Sequence, residues 1–199
     1  MTTDSLLPIE DAGAEAWARI CAAADDITHP MRLVTLCTVD RHGAADGRLM
    51  ILRGADRESA RLWLHADPGS SKLDQIRATP GVCLVAWDPR DGVQLRIFGH
   101  ATTHTQDAMQ RDHVEQLTRR LERMAEDPVD RREVGAQRDP RSESFLKSGA
   151  TSARELAPRT AVIEIRVRAI GWTQTRRRGM RNALLTVEQG WKATGGSSA

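Results

Sequence analysis

A chain of 199 residues with 40% apolar and 28% charged side chains has the size and composition of one globular domain. The net charge of +2 is unevenly spread, since residues 159–199 carry eight basic and two acidic side chains while the remainder is net acidic. The longest apolar run, Val82–Trp87, is far short of the ~20 residues that cross a bilayer, and neither a secretory leader nor a cysteine framework is visible, so the expectation is one cytoplasmic domain over residues 1–199.

Residues 1–28 are expected to carry an N-terminal helix, over 8–26. Pro8 stands near its first turn, acids come early, and Ala16, Trp17, Ile20, Ala23 and Ala24 make its apolar stripe. From Met31 the period shortens, and MRLVTLCTVD, the turn Asp40-Arg41-His42-Gly43 and GRLMILRG predict a β-hairpin. A third strand follows at Ala60–Ala66. The loop Asp67–Lys72 leads into a short helix, Lys72–Ala78, which Thr79-Pro80-Gly81 ends. The run VCLVAW does not alternate and predicts a strand covered on both faces. After DPRDG, the segment VQLRIFGHATTH alternates, with Val93, Leu95 and Ile97 opposite Gln94, Arg96 and Phe98.

Gln106 to about Ala125 has helical amphipathicity, and residues 126–148 read as a polar connection. A short helix near Ser152–Leu156 precedes the cleanest strand, Ala161–Ala169, apolar at odd positions and charged at 164, 166 and 168. Then come the cluster Arg176–Arg178 with Arg181, a final strand Leu184–Val187, and residues 190–199 as a flexible tail. Cys21, Cys37 and Cys83 are read as small core residues. The sum is a mainly β, α+β architecture: an antiparallel barrel of six to eight strands with peripheral helices.

Three pieces carry the chemistry. Arg48 and Arg53, five apart in GRLMILR, would face opposite sides of a sheet and present a cation to each. Ser70 and Ser71 before a helix offer hydroxyls and free backbone N–H groups, and Lys72 adds a charge, which suits a phosphate monoester; the same serines also suit an ordinary helix cap. Gln94 lies on the polar face of its strand.

With His29-Pro30-Met31, LVTLCTVD, GRLMILRG, LWLHADPGSSKLDQI, ATPGVCLVAWDP and VQLRIFGHA in this order, residues 29–104 resemble the pyridoxamine 5′-phosphate oxidase-like family of FMN-binding split barrels. The resemblance implies a homodimer with FMN at the subunit interface. It implies Arg48 at the cofactor phosphate, the backbone of Leu49, Met50, Ile51 and Leu52 along the ring, and Arg53 where the family usually has lysine. His65 and Ala66 stand at positions usually held by tyrosine and threonine. Ser70, Ser71 and Lys72 form the phosphate corner, matching the family's arginine-lysine pair only at Lys72, and Gln94 matches a glutamine beside the flavin. The substrate half is not kept: Arg138-Asp139-Pro140-Arg141-Ser142 only faintly echoes the family's segment, and RRRGMRNALL replaces its C-terminal motif. Pyridoxamine-phosphate oxidation is therefore not expected, and no catalytic side chain is assigned.

The expected function is an FMN-dependent oxidoreductase with a small-molecule electron donor or acceptor, its substrate unassigned. The alternative is a split barrel that binds flavin or haem without turnover, with His29, His100 and His104 as candidate axial ligands. No metal site is expected from the histidine spacing. Trp172 and Trp191 read as buried or interfacial residues or as a flavin edge, and the arginine cluster either reaches a partner's phosphate or is a solvated turn. Nucleic-acid binding through residues 159–199 is the remaining class, poorly supplied because tyrosine is absent and phenylalanine occurs twice.

Overall fold

The computed structural model describes residues 7–126, 152–177 and 179–194. Alternating apolar side chains dictate a sheet with one buried face, and in chain order the strands are β1 (Leu33–Val39), β2 (Ala45–Asp56), β3 (Arg61–Ala66), β4 (Gly81–Asp88), β5 (Val93–His104), β6 (Ala161–Arg176), β7 (Gly179–Thr186) and β8 (Ala193–Thr194). They form one antiparallel sheet ordered β3-β2-β1-β4-β5-β6-β7-β8, and β3 pairs again with β6. Six strands thus close into a barrel, and β7 and β8 extend the sheet beyond it. Val34, Leu36, Met50, Leu52, Leu62, Leu64, Leu84, Leu95, Ile97, Ile163, Ile165 and Val167 are buried together in the core.

The alanine-rich helix α1 (Ala12–Asp25) buries the predicted stripe of Ala16, Trp17, Ile20, Ala23 and Ala24. Buried Arg32 donates from Nη1 to the carbonyls of Ala23 and Ala24, at 3.1 and 2.7 Å, and so satisfies the end of that helix. Arg19 ties α1 to the β4–β5 turn through Asp88 (2.8 Å) and Asp91 (2.7 Å). Helix α2 (Ser71–Ala78) follows β3, α3 (Ala108–Glu126) follows β5, and the single turn α4 (Ala153–Leu156) precedes β6. The predicted hairpin turn is held by Asp40, whose carboxylate accepts from the N–H groups of His42 and Ala44, both at 2.8 Å, while Gly43 takes φ +82°.

Several expectations need correction. β4 is not covered on both faces in this chain: Val82, Leu84 and Ala86 are buried, whereas Cys83 and Val85 are half-buried and Trp87 is exposed. The three cysteines are free and half-buried rather than in the core. The strand expected at Leu184–Val187 as the final one begins earlier, at Gly179, because β6 runs on to Arg176 and turns back as β7, and the short β8 follows it. The tail expected from Gly190 starts with ordered chain, where Trp191 packs edge-on against Trp17 with ring centroids 5.1 Å apart and β8 follows. Residues 127–148 of the polar connection, its Arg138–Ser142 echo included, and residues 195–199 lie outside the described residues. Among the described residues no helix is long and apolar enough to cross a membrane.

Candidate functional site

Strand alternation places Arg48 on the same side of β2 as Met50 and Leu52, at the barrel end covered by α2. Its Nη1 donates to Thr38 Oγ1 at 2.6 Å and to the Leu36 carbonyl at 3.3 Å. Its Nη2 donates to Gln75 Oε1 at 3.0 Å and pairs with Asp46 at 2.6 Å. Gln75, on α2, closes the ring by donating to Asp46 at 2.9 Å. That bond, with the charges of Arg48 and Lys72, holds the Asp46 carboxyl below the usual carboxylate range. The structure thus brings Arg48 and Lys72 to the same carboxylate. Sequence reasoning missed Thr38, Asp46 and Gln75. The hairpin turn sets Thr38 opposite Asp46 and could have revealed those two, but nothing local announces Gln75.

The cap reading of the serines is overturned. Ser70 is the residue before α2, yet its hydroxyl donates back to the Asp67 carbonyl at 2.8 Å, and no side chain caps the first turn of the helix. Lys72, 93% buried, stands in that turn. The first turn of this eight-residue helix therefore has no side-chain cap and carries a buried lysine, and Arg48 reaches the helix at Gln75, one turn further on. Helix dipole, N–H groups and two cations all favour an anion there.

The other candidates lie elsewhere. Met50 and Leu52 point into the core, so only their backbone can meet a ligand. Arg53 is the extra residue of a bulge between Leu52 and Gly54, where simple alternation fails. Leu49 and Ile51 face outward, as does Gln94, but Gln94 stands three strands across the sheet, about 14 Å away. Within one chain Gln94 does not reach the Arg48–Lys72 corner. Ala66 is buried at the end of β3, and His65 sits under α3 with Nε2 3.2 Å from His113 Nδ1.

The outward face has a composition of its own. Leu49, Thr35, Val85, Arg96, Gly171 and Leu184 form one continuous row across β2, β1, β4, β5, β6 and β7. Five of the six exposed large apolar residues among those described, Leu33, Leu49, Trp87, Phe98 and Leu184, lie on this face, Leu49 being 59% exposed. The Arg96 guanidinium lies 5.9 Å from the Phe98 ring, and Gly171 beside it leaves the space a side chain would take.

Residues weighed as ligands or cofactor edges have structural work instead. Trp172 is buried, with Nε1 donating to Glu15 at 2.7 Å. Arg176 pairs with Asp91 at 3.2 Å, and Arg181 donates to the Leu7 carbonyl at 2.8 Å. His29 accepts from the Met31 N–H at 3.2 Å, and burial lowers its pKa. Among the described residues no group of three His, Cys, Asp or Glu can hold a metal ion. An open cleft of about 450 Å³, lined by Pro68, Thr105, Gln106, Gln110, Arg111, Ala157 and Pro158, adjoins the loop that leads to Ser70 and not the Arg48 network.

A family profile described as pyridoxamine 5′-phosphate oxidase matches residues 22–171. A pyridoxine/pyridoxamine 5′-phosphate oxidase of Leptospira interrogans is 31% identical over 106 residues, 50% of this chain and 48% of that one. The match thus spans about half the length of this curated relative. Among solved structures, PhzG from Burkholderia lata 383, in complex with tetrahydrophenazine-1-carboxylic acid, superposes with a TM-score of 0.63 at 16% identity, covering 100% of this chain and 99% of that one. A pyridoxamine 5′-phosphate oxidase-related, FMN binding protein from Nostoc punctiforme PCC 73102 gives 0.61 at 19% identity, covering 98% of each. At these identities the superpositions establish the shared fold.

Proposed function

The chain belongs to the pyridoxamine 5′-phosphate oxidase family, and from that premise we propose that it is a single-domain, homodimeric FMN-binding oxidoreductase. The observation that carries this reading is the uncapped start of α2 beside Lys72 and Arg48. In this reading Lys72, Arg48 and the N–H groups after Ser70 hold the dianionic phosphate of FMN. The backbone of Leu49–Leu52, with Arg53, runs along the ring, and His65 and Ala66 stand beside it. Gln94 is offered to the cofactor held mainly by the partner, since it is remote from its own chain's corner, and the apolar outer face supports pairing of two copies. Bound FMN supplies two-electron transfer between a small-molecule donor and an acceptor. The protein's share is to grip the phosphate, keep water from the ring at the apolar interface and direct hydrogen-bond donors to the ring edge. Three free cysteines fit a reducing compartment, and we place the protein in the cytoplasm.

Asp46 adds a condition to this reading. Its carboxylate already engages Arg48, so phosphate binding exchanges part of that ion pair for bonds to the ligand. Lys72→Met, which keeps the aliphatic volume and deletes the charge, removes a charge-assisted bond worth about 1.5–3 kcal/mol, or about 10- to 150-fold in affinity. The flavin absorbance of the purified variant, measured beside its circular dichroism, tests this. A folded but colourless Lys72→Met from a yellow parent is expected, and a variant as yellow as its parent contradicts the placement.

A further inference from the structure

Helix α3 is latched to the barrel by a contact that the cofactor reading does not use. His113, in its second turn, places Nδ1 3.2 Å from Nε2 of His65 on β3, with the two rings edge-on and their centroids 5.3 Å apart. Trp63, two residues before His65, packs on the same His113 ring at 5.8 Å. The charged and titratable groups around the pair come from every neighbouring element: Arg61 on β3, His104 on β5, Glu164 on β6, and Asp107 and Asp112 on α3. Glu164 is shared between Arg61 (3.1 Å) and His104 (3.6 Å), and His104 pairs with Asp107 (2.6 Å) at the start of the helix. The remaining anchors of α3 do not titrate. Gln110 donates to the carbonyls of Ala157 and Thr160, at 2.8 and 3.1 Å, and Val114 packs on Leu156.

An N–H···N bond between two imidazoles needs a lone pair on one of them. With both rings neutral one donates to the other, and a single added proton on the donating ring leaves the bond intact. A second proton removes the only acceptor and sets two cations against each other. We propose that His113 is a positioning residue for His65 and that the pair is a proton-sensitive latch, holding α3 on the barrel at neutral pH and releasing it in acid. Release would widen the cleft that α3 lines through Gln110 and Arg111, beside the loop entering the phosphate corner. The latch deepens the cofactor reading through His65, yet it operates in the protein without ligand.

The sign follows from burial. Burial lowers the pKa of His113 from its ordinary 6.5, the nearby carboxylates Asp112 and Glu164 opposing it in part. The contribution of a neutral His113 is therefore complete above about pH 6.5 and is lost as pH falls through the lowered folded value. Hydrogen exchange of the α3 amides in the full chain, from about pH 8 to about pH 5 and corrected for intrinsic rates, tests the latch. Protection of α3 is expected to fall by up to about tenfold per pH unit between about pH 6.5 and the lowered folded value, with β1 and β4 unchanged. His113→Gln keeps an amide able to bond His65 and should make the profile flat. A flat wild-type profile overturns the latch, as does a His113→Gln profile that tracks wild type. If His113→Gln undocks α3 at every pH, His65→Gln is the deciding variant and must also be flat. Because the readout needs no flavin, it stands or falls apart from the cofactor reading.

Discussion

At the scale of single residues, charge placement shows which ion pairs build the fold. Asp88 is fully buried between Arg19 and Arg90. Burial works to raise its pKa, but the bonds from Arg90 and the charge of Arg19 outweigh it and hold the carboxyl below the usual range. Removing it leaves Arg19 short of a partner inside the α1 contact, so Asp88→Ala should cost about 3 kcal/mol, about 6–12 °C of Tm by thermal unfolding. Its contribution is present above the ordinary value of 3.8 and is lost as pH falls through the lowered one, so the difference between wild type and variant should shrink in strong acid. Arg48 and Lys72 differ in that they meet α2, whose first turn has no side-chain cap, at Gln75 and in that first turn. They were legible as cations near a serine turn. The direction of the Ser70 hydroxyl was not, because a serine before a helix serves equally as a cap or as part of a turn, and only the Asp67 backbone decides.

At the scale of elements, alternation in β5 and β6 gave their inward residues correctly from sequence, and the Asp40–Gly43 turn set the β1–β2 register. β4 misled because VCLVAW is apolar on both sides for two different reasons. Its inward residues fill the barrel, and its outward ones join the apolar row from Leu49 to Leu184. Period-two reasoning is also interrupted at bulges: the register shifts at Leu52/Gly54, beside Arg53, and at Phe98/Gly99, where the added Cβ of any larger residue would lie 2.5 Å from the Arg166 carbonyl. The outer row makes a prediction of its own. Leu49→Arg changes an exposed position, where substitution costs the fold within about 0.5 kcal/mol. It should nevertheless convert the proposed dimer to a monomer in sedimentation velocity, because it sets a charge on the proposed pairing face. A variant that sediments as wild type would show that this face is not where two copies meet.

At the scale of the whole molecule, barrel closure through the β3–β6 pairing separates two surfaces with different tasks. One end, under α2, gathers Arg48, Lys72 and a helix start without a side-chain cap; the outer surface from β2 to β7 carries Leu49, Phe98 and Leu184 beside Gln94 and Arg96. Short-range patterns recorded both surfaces but not their separation, which depends on strand order. In the proposed reading, a cofactor spanning corner and sheet would draw on two copies of the chain. The proposed grip on the phosphate is tested most directly by titrating flavin-free protein with FMN and with riboflavin, which lacks the phosphate. Binding of FMN tighter by about 10- to 150-fold, with the preference lost in Lys72→Met, is the predicted result. Equal affinity for the two flavins in wild type would contradict it.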